Sequence, residues 1–297
     1  MGASRRGVLL GGVGLLAAGC SGGPPDEEQS SPSTSPAPPS PSSASPSTST
    51  TPTQTARSLP GVTAWRPGPG ELVPACKLAA VRRVERAGNG RETALQVIDA
   101  QYGGLLPDTA SVLVVTRSWR RAGDRVVAGG RTYDVRLSRA GAAWRVTAVH
   151  PSRPGSAQPP LTRAARRVLA SARIHLPPAA AADVRSGQVH DSVLTALLTV
   201  ARTHRPTVSV IRSGHPLRVF GTDRLSDHPQ GRAFDTWAID GHPVVDPRTP
   251  RGLVEDYMRA VAAAGSYNVG GPYLLGSAPQ WFSDDTHHDH VHAGFAT

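Results

Sequence analysis

The sequence predicts an α+β protein built from two successive units. Three observations carry this: runs with apolar residues at helical spacing, runs that alternate apolar and polar, and a Pro-rich break at Pro151–Pro160 between them. Within the 297 residues the expected layout has four parts: a targeting segment at 1–20, a Pro/Ser/Thr tether at 21–58, a small α+β unit at 59–150 and a second at 161–297. The second unit is expected to hold a small antiparallel sheet with flanking helices.

Arg5 and Arg6 precede a short apolar run, Gly7 to Ala18, which is too short to span a bilayer comfortably. Leu16-Ala17-Ala18-Gly19-Cys20 resembles a bacterial lipobox, and Ser4-Arg5-Arg6 resembles a twin-arginine export signal. That resemblance implies a lipid on Cys20 and a place on the outer face of the cytoplasmic membrane. An ordinary secretory signal with an incidental cysteine is the competing reading. The position of Cys20, where cleavage should fall, favours the lipid.

Ser21 to Ser58 has almost no apolar content and cannot bury a core, so it is expected to be an extended tether. Only Cys76 remains as a second cysteine, so an acylated Cys20 leaves no intramolecular disulfide. The net charge of +10 is nearly all Arg, with Lys77 the only lysine. The arginines are scattered, with little aromatic interleaving, which argues against nucleic acid as a partner.

In the first unit, Ala75–Glu85 and Glu92–Gln101 read as helices. Ser111–Trp119 reads as a strand, as do the alternations Tyr133/Val135/Leu137 and Trp144/Val146/Ala148. No cluster of His, Cys or acidic residues stands out there, so this unit reads as a binding or spacer domain.

In the second unit, Leu194, Leu197, Leu198 and Ala201 mark one helix face, and Thr207–Ile211 a buried strand. Ala233–Ile239 is expected to turn at Asp240-Gly241 into Val244-Val245. A helix opens at Thr249-Pro250 and stops at Gly265, and His290–Phe295 is the last strand.

The chemistry sits in two stretches, Ser226 to Asp235 and Asp289-His290-Val291-His292. His228, Asp235 and His292 are nitrogen and oxygen ligands of the kind that hold a catalytic zinc and leave a fourth position for water. His290 and His292, two apart on a strand, face one side. A strand carrying Asp235 beside this last strand would bring the ligands together.

At these positions the chain resembles the LAS group of zinc peptidases, which includes D-Ala-D-Ala carboxypeptidases, murein endopeptidases and the hedgehog signalling domain. Ser226, His228, Gly231, Ala233 and Asp235 match its S-x-H and G-x-A-x-D pattern, and His292 matches the third ligand. The resemblance covers roughly Val189 to Phe295. It implies zinc held by His228, Asp235 and His292, a proton carrier at Asp289 or His290, and peptidoglycan peptides as substrate.

Two positions depart from the group. Ser213-Gly214-His215-Pro216 places proline where many members carry an arginine that steadies the reacting carbonyl, so Arg218 or Arg224 is the expected substitute. Asp289 stands where many carry glutamate, and a regular strand would point it away from His292. These departures keep open a rival reading, a non-catalytic metal-containing module that binds wall peptides or a protein partner. His204, His215 and His242 lack partner spacing, and His287 and His288 read as a solvated loop. Trp237 and Trp281 read as core or rim, with a peptide-groove wall at Trp281 and Phe282 as the lesser alternative. Gly270-Gly271-Pro272 reads as a close backbone approach rather than a phosphate cradle.

Overall fold

A computed structural model describes residues 58–297. The expected targeting segment, the lipidation at Cys20 and all of the tether before Ser58 lie outside the described residues. No helix among the described residues is long and apolar enough to cross a membrane.

The described residues fold as α+β with two sheets and five helices. The first helix is α1 (Pro74–Gly88). Pro74 opens it, where the missing N–H would have had no helical partner. Its buried face carries Cys76, Lys77, Ala80, Val81 and Val84, at the three-to-four spacing of one helix side.

That face packs on an antiparallel sheet of β1 (Thr93–Leu105), β2 (Thr109–Ala122), β3 (Arg125–Gly129), β4 (Thr132–Ala140) and β5 (Ala143–Pro151). The strand order is β1-β2-β4-β5, and β3 pairs with the distal half of β2.

The helix expected over Glu92–Gln101 is a strand, the first part of β1. Its Ala, Leu and Gln favour helix locally, but pairing with β2, buried from Ala110 to Thr116, overrides that preference. A bulge between Val97 and Asp99 shifts the register. Leu95, Val97, Ala100 and Tyr102 therefore all reach the core under α1. Their intervals of two, three and two imitate helical spacing, which is why the sequence reads as helix.

Across the break come α2 (Arg163–Ala170), α3 (Pro178–Arg185), α4 (Asp191–Val200), β6 (Pro206–Val210), β7 (Ala233–Ile239) and β8 (His242–Pro243). They are followed by α5 (Arg251–Ala263), β9 (Asn268–Gly270), β10 (Trp281–Phe282), a 3-10 turn at Asp285–His287 and β11 (Val291–Gly294). The second sheet runs β10-β9-β11-β7-β6, with β8 on β7. Its pairs are antiparallel except β9 with β10. Leu194 and Leu197 from α4 and Val254, Met258 and Val261 from α5 share a core with Phe234, Val291 and Phe295. Asp240 and Gly241 both take positive φ, as a two-residue hairpin requires, and the return strand is His242–Pro243 rather than Val244-Val245.

The two sheets meet directly. Leu113 and Val115 of β2 face away from α1 and cluster with Ile98 and Val210 of β6. The Pro-rich segment is hydrogen-bonded on both sides, with Ser152 N–H donating to Thr132 and Gln158 N–H to Arg185. All described residues belong to one compact unit.

Candidate metal centre

Asp235 on β7 and His292 on β11 stand directly opposite each other, so both side chains leave the same face of the sheet. His228 arrives from the loop before β7. That loop closes through Gly231, whose N–H donates to His228 O at 2.8 Å. Gly231 has φ +72°, and a Cβ there would overlap the Gln188 carbonyl, so the tight return requires glycine.

Three atoms converge. His228 Nε2 lies 3.1 Å from Asp235 Oδ1 and 3.2 Å from His292 Nδ1, and His292 Nδ1 lies 3.0 Å from Asp235 Oδ1. His228 and Asp235 are fully buried, and His292 is 8% exposed. His228 Nδ1 is 2.8 Å from Ile211 O, which fixes the tautomer with the Nε2 lone pair turned inward. Burial opposes charge on Asp235, but His228 and His290 beside it hold its carboxyl well below the usual range. Burial pushes His292 down to about 4.

The residues suit a metal ion. Two imidazoles and one carboxylate form a triangle with edges of 3.0–3.2 Å. Ligands of a tetrahedral zinc, with bonds of about 2.0–2.2 Å, lie roughly 3.3–3.6 Å apart, so the triangle need open by only a few tenths of an ångström to take one.

His215, which the sequence left without a partner, is part of this centre. Its ring stacks on His228 with centroids 4.1 Å apart, and it joins His228 and Asp235 in one group that could hold a metal ion. Burial holds its pKa well below the ordinary histidine value. In the sequence no spacing to another candidate ligand marks it.

His290 lines the cleft, whereas Asp289 lies behind it. Asp289 Oδ1 is 2.6 Å from His290 Nδ1, and Oδ2 accepts from Lys77 Nζ at 2.6 Å and from Tyr102 N–H at 3.0 Å. Burial acts against charge on Asp289, but Lys77 and His290 hold its pKa below the usual carboxylate range. For His290 burial opposes protonation, and Asp235 and Asp289 outweigh it, so its pKa is raised.

The N-terminal unit thus reaches into the centre. Lys77 also pairs with Glu71, and its ammonium is buried between the two carboxylates. Gln101 Nε2 donates to Asp235 Oδ2 at 2.7 Å. Neither contact leaves a local sequence pattern, because 212 residues separate Lys77 from Asp289 and 134 separate Gln101 from Asp235.

A cleft of about 750 Å³ opens over His228, His290 and His292. Gly103, Gly104 and Leu105 of β1 line one part, and Phe220, Phe282 and His287 others. Phe282, rather than Trp281, faces the cleft, and its ring fills the space a side chain on Gly270 would take. His287 is half-buried against Phe282, with Nδ1 2.7 Å from Asp284 Oδ1, so it is not a solvated loop residue. His288 packs on Tyr102 and accepts from Leu72 N–H at 3.2 Å. Arg224 stands at the cleft, exposed. Arg218 lines a separate surface groove and donates to the Asp223 carbonyl.

No family model, curated protein or solved structure matches the chain.

Proposed function

We propose that this chain is a zinc-dependent peptidase of the cell envelope that hydrolyses peptidoglycan stem peptides, with a C-terminal domain of LAS-peptidase architecture. In this reading a lipid on Cys20 holds it to the outer face of the cytoplasmic membrane, and the tether spans toward the wall. The observation that carries the reading is the convergence of His228, Asp235 and His292 within 3.0–3.2 Å at the floor of an open cleft.

Bound zinc would supply Lewis acidity toward the scissile carbonyl and lower the pKa of a water toward ~7. The chain's own residues do the rest. His290 Nδ1–H is held by Asp289, so Nε2 is the atom that takes up and releases a proton. Asp289, with both oxygens engaged, orients His290. Arg224, at the rim, is the cation placed to meet a substrate carbonyl or carboxylate. The substrate peptide would lie in the cleft between the β1 wall and Phe282.

One observation favours a second reading, a metal-containing module that binds wall peptides or a protein partner without cleaving them. Arg218 faces another groove, and Arg224 is exposed rather than held over the three ligands. Single-turnover incubation of zinc-loaded protein with defined wall peptides separates the two. Cleavage that His290→Ala abolishes supports the peptidase. Tight binding of those peptides without cleavage supports the binding module.

A further inference from the structure

We propose that the N-terminal sheet is a working part of the metal centre, with Gln101 of β1 as the residue that positions the ligand Asp235. The proposal rests on the metal reading above.

Asp235 presents Oδ1 to His228 and His292, and its other oxygen, Oδ2, takes the Gln101 Nε2–H at 2.7 Å. The direction of the Gln101 amide is set by Asp235, whose carboxylate oxygen only accepts, and Ser209 Oγ on β6 supports it from the far side by donating to Gln101 Oε1. Flipping the amide would set two acceptors against each other at Asp235. Gln101, Ser209 and Asp235 are all buried, so water does not replace any of these partners.

The effect on the ligand follows from the geometry. A donor on Oδ2 reserves that oxygen and leaves Oδ1 as the single metal-facing atom. Without it, Oδ2 is left with His290 Nε2, 3.8 Å away, and the carboxylate is free to turn toward that ring or to present both oxygens. Partners that orient a ligand in this way typically set metal affinity by 10–100-fold.

The β1 bulge makes this placement. It sends Ala100 and Tyr102 into the α1 core while Gln101 faces β6 with its cross-strand partner Leu113. The next backbone N–H along the strand, that of Tyr102, donates to Asp289. One strand therefore holds both carboxylates of the centre, one through a side chain and one through the main chain.

The test uses the full chain. Zinc affinity is measured by competition with a chromophoric chelator, and coordination by the visible absorption of the cobalt(II)-loaded protein, for wild type, Gln101→Met and Ser209→Ala. The expected result is roughly 10–100-fold weaker zinc binding in Gln101→Met, with an altered cobalt spectrum, and a smaller loss in Ser209→Ala. Wild-type affinity and spectrum in a folded Gln101→Met protein would overturn the proposal and leave the metal reading intact. A wild-type chain that binds neither metal would overturn both. If Gln101→Met does not fold, Ser209→Ala decides: weaker zinc binding supports the proposal, and unchanged binding overturns it.

Discussion

Lys77 and Asp289, 212 residues apart in the chain, form a buried ion pair at 2.6 Å. The only lysine in the sequence is thus spent on joining α1 to the segment that leads into β11. Glu71 flanks the ammonium on its other side, and Tyr102 N–H shares the Asp289 oxygen. The pair ties the first sheet's helix to the residue that orients His290.

Removing one partner of such a pair leaves an uncompensated buried charge. Lys77→Met is expected to destabilise the protein by about 3–5 kcal/mol. Lys77→Met combined with Asp289→Asn should lose less than the sum of the two single changes. Urea unfolding of the four proteins measures this coupling, and additive losses would contradict it.

The junction between the sheets is apolar at its centre. Leu113 is fully buried against Ile98, Val115 and Val210. Leu113→Ala should cost about 2–5 kcal/mol, the range for opening a cavity at a packed leucine. The loss should appear in a single unfolding transition that tryptophan fluorescence and far-UV circular dichroism report together.

Gly231 carries the return between His228 and Asp235. Gly231→Ala forces a side chain into positive φ and into the Gln188 carbonyl. At least about 1–3 kcal/mol of backbone strain is expected, and zinc affinity should fall because His228 is displaced from Asp235. A Gly231→Ala protein with wild-type stability and affinity would show that the loop tolerates another path.

Asp99 gives the fold a pH dependence. Burial pushes its carboxyl up to about 7, against the pull of Lys77, with Asp289 and Glu71 adding to the rise. Its Oδ2 is sealed from solvent without a hydrogen-bond partner. The native state therefore keeps a proton that the unfolded chain releases near pH 4. Stability from this group is full below about pH 4 and declines as pH rises to about 7, where the native state also ionises. Asp99→Asn should flatten the stability profile between those values, as read by unfolding at several pH values.

Much of the second sheet and of the centre was legible in the sequence, for local reasons. Asp240-Gly241 signals its own turn, and the His228-to-Asp235 spacing and the His290/His292 alternation point to the two strands that the structure sets side by side. The first half of β1 was not legible, because its bulge turns a period of two into intervals that resemble a helix. His215, Lys77 and Gln101 were not legible either. Each acts on a residue brought near by the fold alone, and a single isolated side chain carries no spacing from which to read a partner.

Metal stoichiometry tests the proposed centre most directly. Metal-free protein titrated with zinc, and assayed for bound metal after gel filtration, should retain about one zinc per chain. His228→Ala, Asp235→Ala and His292→Ala should each abolish or sharply weaken that binding, while His290→Ala should keep it. Retention of one zinc by a folded Asp235→Ala protein, or no zinc on the wild-type chain, would contradict the assignment.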